Sequence, residues 1–294
     1  MRVFVTGAGG YIASAVVPEL IKGGHEVIGL ARSDASAAVV KAMGAEVHLG
    51  DLRDPASLLE AANSSDAVIH LAFDHAAMVA GDFAGAVATD LAVVQALGDA
   101  LAGTGKTFVG VGVGPTGDAE RDAAISASPR SVVSRAIRGL AERDVRTILV
   151  AVASVTHGVS DRHGFIPMLI KIARDTGMSA YVGAGANRWP AVDVLDLGRL
   201  YRLALDKAPA GAQLFGAAED GITVREIAET IGRRLDLPAV SIPAGEAASH
   251  FNGFPFITLD VTMPGENTRK LLGWEPVRPG LIADLEQDHY FSGA

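Results

Sequence analysis

Thr6-Gly7-Ala8-Gly9-Gly10-Tyr11-Ile12-Ala13 lies between a short β-rich run, Arg2 to Thr6, and a stretch with helical periodicity, and no other segment constrains the fold as tightly. Phasing decides what the glycines do. Read from Gly7 as G-x-G-x-x-G/A, the last position falls on Ile12, which is too large; read as T-G-x-x-G-x-x-A, Gly7, Gly10 and Ala13 all fit. Glycine permits a tight turn and close approach of backbone to a pyrophosphate, the helix N-terminus favours the anion, and small Ala13 lets helix pack on strand. Ile12, Val16, Glu19 and Leu20 then form a mostly apolar helical face that Gly23-Gly24 stops. Strand, helix and strand follow within about thirty residues, the context that makes such a turn a dinucleotide cradle instead of a plain loop.

The alternation continues. Runs at Glu26 to Ala31, Glu46 to Leu49, Ala67 to Leu71, Thr107 to Val113 and Thr147 to Ala153 are separated by helix-compatible stretches, which predicts a parallel sheet. After residue 155 helices are expected at Phe165 to Arg174, Leu195 to Lys207 and Thr223 to Leu235, with short apolar strands between them. The fold class is therefore α/β: a Rossmann-type, doubly wound parallel sheet of six or seven strands over residues 1–155, and a smaller C-terminal α/β domain over 156–294, with chain crossings between them. Gly114 to Pro129, rich in Gly, Ser, Pro and charge, reads as a lid or a surface loop.

Composition removes several classes. The 294 residues are 49% hydrophobic, enough for a substantial core, and 25 Lys plus Arg against 34 Asp plus Glu leaves −9, which argues against nucleic acid as a partner. There is no cysteine, hence no disulfide, thiolate metal site or Cys nucleophile, as a reducing cytosol permits. No apolar run, Ile148 to Val155 among the longest, approaches the roughly 18 residues of a membrane span, and the start does not read as a signal peptide. A cytoplasmic protein with no membrane partner is the expectation. No G-x-S-x-G elbow occurs, so a hydrolase of that design is out.

Cofactor choice is written at the end of the second strand. Where an NAD site usually offers a carboxylate to the ribose 2′-hydroxyl, the chain has Arg32-Ser33. A guanidinium can bind a 2′-phosphate bidentately and Ser33 can add a hydroxyl, which favours NADP(H); Asp34 could take the ribose if the register shifts by two.

With these residues the chain resembles an extended short-chain dehydrogenase/reductase of the NAD-dependent epimerase/dehydratase type, over nearly its whole length. The resemblance places Thr6, Gly7, Gly10, Tyr11 and Ile12 at the pyrophosphate and Arg32 and Ser33 at the 2′-phosphate. Asp51 and Leu52, in Gly50-Asp51-Leu52, fall at the adenine, and Leu71, Ala72 and Phe73, in His70-Leu71-Ala72-Phe73, at the ribose and nicotinamide side. Asn187 to Val192 with Asp196-Leu197, Thr223 to Ala228, and Leu272 to Pro276 are similar to landmarks of that family's substrate domain.

The family's catalytic set, a Ser or Thr after the fifth strand and a Tyr-x-x-x-Lys on the next helix, is missing. After the fifth strand the chain reads Gly110 to Pro115 and then Thr116, the nearest hydroxyl, and the four tyrosines, Tyr11, Tyr181, Tyr201 and Tyr290, lie elsewhere. By spacing, Ser126 takes the Tyr place and Arg130 the Lys place, with Ser131 to Arg135 as an alternative frame; His-x-x-x-Arg variants of the family are the nearest parallel. A serine hydroxyl is several units less acidic than a tyrosine near pH ~10, so Ser126 is a poor proton donor. Arg130 can still hold a ribose or an oxyanion. His75, just past the fourth strand, and His157, past the sixth, are the other candidate acids, because histidine titrates near neutrality. No ligand motif supports a metal at His157, Asp161 and His163, so none is expected. Met168, Met178 and Met263 read as core or pocket filling, and Phe251, Phe254 and Phe256 as loop anchors in preference to a pocket wall.

The leading expectation is an NADP(H)-dependent reductase of a carbonyl or imine on a small, largely apolar metabolite. Loss of Ser, Tyr and Lys together keeps open a redox-silent lyase, isomerase or cyclase, and a non-catalytic nucleotide sensor. Apolar Val132, Val133, Ile137 and Leu140 make a helix-mediated homodimer an expectation as well.

Overall fold

The computed structural model describes residues 1–114, 116 and 119–292. From the N-terminus the elements are β1 (Arg2–Thr6), α1 (Ala13–Lys22), β2 (Glu26–Ala31), α2 (Asp34–Ala42), β3 (Glu46–Leu49), α3 (Leu59–Asn63) and β4 (Ala67–His70). Then come α4 (His75–Val79), α5 (Phe83–Leu101), β5 (Thr107–Val111), α6 (Ala119–Ala127), α7 (Ser131–Gly139) and β6 (Arg146–Val152). The second half holds β7 (Val155–His157), α8 (Phe165–Thr176), β8 (Ser179–Val182), β9 (Arg188–Asp193), α9 (Val194–Lys207), β10 (Ala212–Gly216), β11 (Glu219–Thr223), α10 (Val224–Leu235) and β12 (Ala239–Ile242). Short helices, including Leu281–Leu285, complete it.

One compact unit comprises Met1–Ala151, Gly198–Leu214 and Lys270–Trp274. Its seven-stranded sheet has the order β10-β6-β5-β4-β1-β2-β3, and the five pairings from β6 to β3 are parallel. The order reverses beside β1, so the crevice at the carboxyl ends of β1 and β4 is the switch point where such sheets take ligands. The seventh strand, β10, comes from beyond residue 155, so no single cut at 155 divides the chain; it crosses between the units repeatedly.

The sheet's core includes Phe4, Val68 and Phe108, packed with Val93, Val94, Leu97 and Leu101 of α5 and with Val133, Ile137 and Leu140 at α7 and just after it. Two expectations change here. The α7 residues offered as a dimer face are already buried in the unit's own core, with Val132 packed against it. And α5, 19 residues with mean hydropathy 1.3, is long and apolar enough by length and composition to cross a membrane. Its apolar face packs on the sheet and Asp90 interrupts it, as in a core helix.

The second unit comprises Val152–Leu197, Phe215–Arg269 and Glu275–Ala294, with a three-stranded sheet β11-β9-β7 and a two-stranded parallel pair β12-β8. Trp189, Ile166, Ile170 and Ile231 anchor its core, and Met168 packs against it. Phe254 and Phe256 cluster with Phe165, which fixes their loop.

Candidate functional site

The glycine turn is built by proximity. Gly7 sits at φ +69°, and a Cβ there would lie 2.8 Å from the Ala72 backbone nitrogen, so only glycine lets the end of β1 lie against Leu71-Ala72 after β4. Gly10 N–H donates to the Gly7 carbonyl at 2.9 Å, which closes the turn. Helix α1 then opens from Ile12 without any side-chain cap, and its first N–H groups are those an anionic ligand would take. Turn, helix start and close strand contact together fit a dinucleotide pyrophosphate.

Behind the turn runs a buried polar chain. Thr6 Oγ1 accepts from the Ala72 N–H at 3.3 Å and lies 2.6 Å from His70 Nδ1. His70 Nε2 lies 2.9 Å from Asp90 Oδ1, and Arg130 Nη2 donates to Asp90 Oδ2 at 3.0 Å. With the ring proton placed on His70 Nε2, each donor meets an acceptor: Ala72 N–H to Thr6, Thr6 O–H to His70, His70 to Asp90, and Arg130 to Asp90. Thr6, His70 and Asp90 are all buried. Burial pushes the Asp90 carboxyl up, but the His70 hydrogen bond together with the charge and hydrogen bond of Arg130 outweighs it and holds it below the usual carboxylate range. Arg130 precedes α7, and its guanidinium carbon lies 4.5 Å over the Phe73 ring. Phe73 also meets His75 edge-on at 5.3 Å and Phe83 at 6.2 Å, so an aromatic group stands beside the cation.

The other predicted residues fall in different places. Ser126 is exposed on α6 while Arg130 lies ahead of α7, so the two do not share a helix face as a Tyr-x-x-x-Lys pair would. The alternative frame does share one: Arg135 Nη1 donates to Ser131 Oγ at 3.1 Å, but Arg135 is exposed. Thr116 donates through both N–H and Oγ1 to Asp122 Oδ1, at 2.6 and 2.8 Å, so it braces α6. The lid or loop expected over Gly114 to Pro129 thus contains a helix; its residues 115, 117 and 118 lie outside the described residues. After β5, α7 packs close: a Cβ on Gly112 would lie 2.5 Å from Ser134 Oγ. That hydroxyl instead accepts from the Val113 N–H at 3.3 Å.

Arg32 is exposed at the end of β2, and Ser33 caps α2, accepting from the Ser36 N–H in a capping box. Asp34 is the first residue of α2. Asp51 Oδ1 accepts from the Arg53 N–H at 2.9 Å, and Leu52 packs against the sheet's core.

In the second unit His157 is fully buried, with Nδ1 2.8 Å from Asp284 Oδ2, so its ring offers no surface to a substrate. Asp161 accepts from Tyr290 Oη at 3.2 Å and from the Gly164 N–H at 2.8 Å. Burial raises both the Asp161 carboxyl and the Tyr290 phenol above their ordinary values. These contacts tie the segment after β7 to the C-terminal region, and among the described residues no group of His, Asp and Glu forms a metal site. Tyr201 is wholly buried in the first unit, and burial raises its phenol too. Sequence reasoning missed Asp90; the signal was a lone carboxylate at the middle of an apolar helical run.

Residues 3–112 match the model of the NAD dependent epimerase/dehydratase family. An uncharacterized protein of Schizosaccharomyces pombe is 38% identical over 300 residues, covering 99% of this chain and 100% of the relative. Among solved structures, the dTDP-glucose 4,6-dehydratase of Streptomyces venezuelae with NAD bound has a TM-score of 0.74 at 20% identity, covering 99% of each chain. The UDP-glucose 4-epimerase of Thermus thermophilus in complex with NAD also has a TM-score of 0.74, at 18% identity and 100% coverage of both. At these identities the likeness to both structures is one of fold.

Proposed function

The chain belongs to the NAD dependent epimerase/dehydratase family, within the extended short-chain dehydrogenases/reductases, and we propose that it is an NADP(H)-dependent oxidoreductase reducing a carbonyl or imine of a small, largely apolar metabolite. The observation that carries this reading is Arg130, held between buried Asp90 and the Phe73 ring at the switch point of the sheet. Asp90 fixes the guanidinium in one place, and with the Arg130 side chain 34% exposed its remaining donors can reach a ribose hydroxyl or a developing oxyanion.

Gly7, Gly10 and the uncapped start of α1 would hold the pyrophosphate, Asp51 and Leu52 the adenine, Arg32 with Ser33 the 2′-phosphate, and Leu71, Ala72 and Phe73 the nicotinamide side. Bound there, the dinucleotide would supply the hydride. His75 shares the Phe73 ring with Arg130 and is exposed, so it is the side chain placed to deliver a proton, directly or through water. Phe73 and Phe83 favour an apolar substrate group beside that proton donor. Ser126 stands four residues before Arg130 where the family's Tyr-x-x-x-Lys pattern has its tyrosine acid, which favours a second reading, a redox-silent lyase, isomerase or cyclase on the same site.

NADPH consumption with a panel of aliphatic and aromatic ketones and cyclic imines separates them. The reductase reading expects turnover that falls on Arg130→Ala. Substrate conversion without NADPH oxidation supports the redox-silent reading.

A further inference from the structure

Arg53 donates through Nε and Nη2 to Asp74 Oδ2, at 3.1 and 2.9 Å. Arg53 follows β3 and Asp74 follows β4, two strands that β2 and β1 separate in the order β4-β1-β2-β3. Three strand spacings are about 14 Å, so a contact joining these two segments passes beyond the carboxyl ends of β1 and β2, where the glycine turn and Arg32 lie. The two ends of this bridge differ in kind. Asp74 is a fixed post: its side chain is 9% exposed and its Oδ1 accepts the Ala77 N–H at 3.1 Å, capping α4. Arg53 is a movable arm, 65% exposed, though aimed from its base by the Asp51 Oδ1 contact to its own N–H. An ion pair whose cation is this exposed is weak, and the guanidinium can exchange its carboxylate for another anion.

We propose that Arg53 is a second determinant of 2′-phosphate recognition: it pairs with Asp74 in the free protein and turns to the adenosine 2′-phosphate beside Arg32 when that ligand binds. This rests on the NADP(H) reading of the site. Two guanidiniums on one phosphate give the bidentate, charge-assisted contacts such groups favour. The Ala77 N–H and then the Arg53 hydrogen bond do most to hold the Asp74 carboxyl below the usual range, and the charges of Arg53 and Arg32 add to it, which puts the two cations in one neighbourhood. Asp74 also keeps the arm in place when no phosphate is there, and as an anion it disfavours the ligand until the arm moves.

The test is calorimetric titration of the full chain with adenosine 2′,5′-bisphosphate and with AMP, which isolates the 2′-phosphate without any need for turnover. Wild type, Arg32→Ala, Arg53→Ala and Asp74→Asn are compared, with circular dichroism confirming the fold of each. Arg53→Ala should lower the bisphosphate affinity about tenfold, the range for an exposed charge-assisted contact, and leave AMP within about twofold. Asp74→Asn, which keeps a capping oxygen, should hold or raise the ratio of bisphosphate to AMP affinity. If wild type and Arg32→Ala show the preference and its loss while Arg53→Ala leaves the ratio unchanged, or if Asp74→Asn lowers it, the role of Arg53 is overturned and the NADP(H) reading stands. If wild type binds both ligands equally, both fall together.

Discussion

Replacing Asp90 with asparagine keeps the shape of the side chain and removes its charge. Its carboxylate is 1% exposed and accepts from His70 at 2.9 Å and Arg130 at 3.0 Å. Removing one partner of a buried ion pair typically destabilises by about 3–5 kcal/mol, because the other charge is left uncompensated. Arg130 is a third exposed, so water recovers part of that, and about 2–3 kcal/mol is the reasoned loss. For a unit of this size each kcal/mol moves Tm by about 2–4 °C, which predicts a fall of about 4–12 °C by scanning calorimetry. Acidity provides an independent check. The folded carboxyl lies below its unfolded value, about 3.9, so its contribution is fully present above that pH and is lost as pH falls through the folded value. Asp90→Asn should therefore flatten part of the acid limb of stability below about pH 4. Adding Arg130→Gln to Asp90→Asn should recover stability, since the uncompensated cation is then gone. A Tm within about 2 °C of wild type, with the acid limb unchanged, would refute the buried-pair argument.

Further outcomes follow from the same geometry. Gly7→Ala places a Cβ 2.8 Å from the Ala72 nitrogen at a positive φ, and should lose at least about 1–2 kcal/mol of stability together with most dinucleotide affinity, read by unfolding and by nucleotide fluorescence titration. Arg130→Ala and His75→Ala should each lower turnover by about a hundredfold or more, and Ser126→Ala, on an exposed helix face, by less than about twofold, in steady-state assays. His157→Ala leaves the buried Asp284 carboxylate without its close partner and should lower Tm while nucleotide affinity is unchanged.

Local chemistry made much of this legible. The glycine turn follows from three small residues at fixed spacing after a strand, and β1 and β2 fall where the β-rich runs place them, because a buried parallel strand leaves a continuous apolar record; the edge strand β3 also falls in its run, although none of its residues is fully buried. The Ser126–Arg130 pairing failed for a reason also written locally: Pro129 disfavours helix at Ser128, so α6 ends at Ala127 and α7 begins at Ser131. Spacing across that break carries no face relation. Asp90 was hidden for the opposite reason. It lies 20 residues from His70 and 40 from Arg130, and only the stacking of α5 and α7 on the sheet unites them. His157 is a candidate acid by its place after a parallel strand, where loops usually border a ligand crevice, whereas the segments around it fold over and bury it.

Hydride transfer at a site organised by Arg130 can be followed by isotope. NADPH carrying deuterium at the transferable nicotinamide position is incubated with the protein and the panel of ketones and imines, and products are read by mass spectrometry. The account predicts one deuterium in a reduced product with wild type and at least about a hundredfold less with Arg130→Ala. NADPH that binds tightly while no product of any panel member gains deuterium would contradict it.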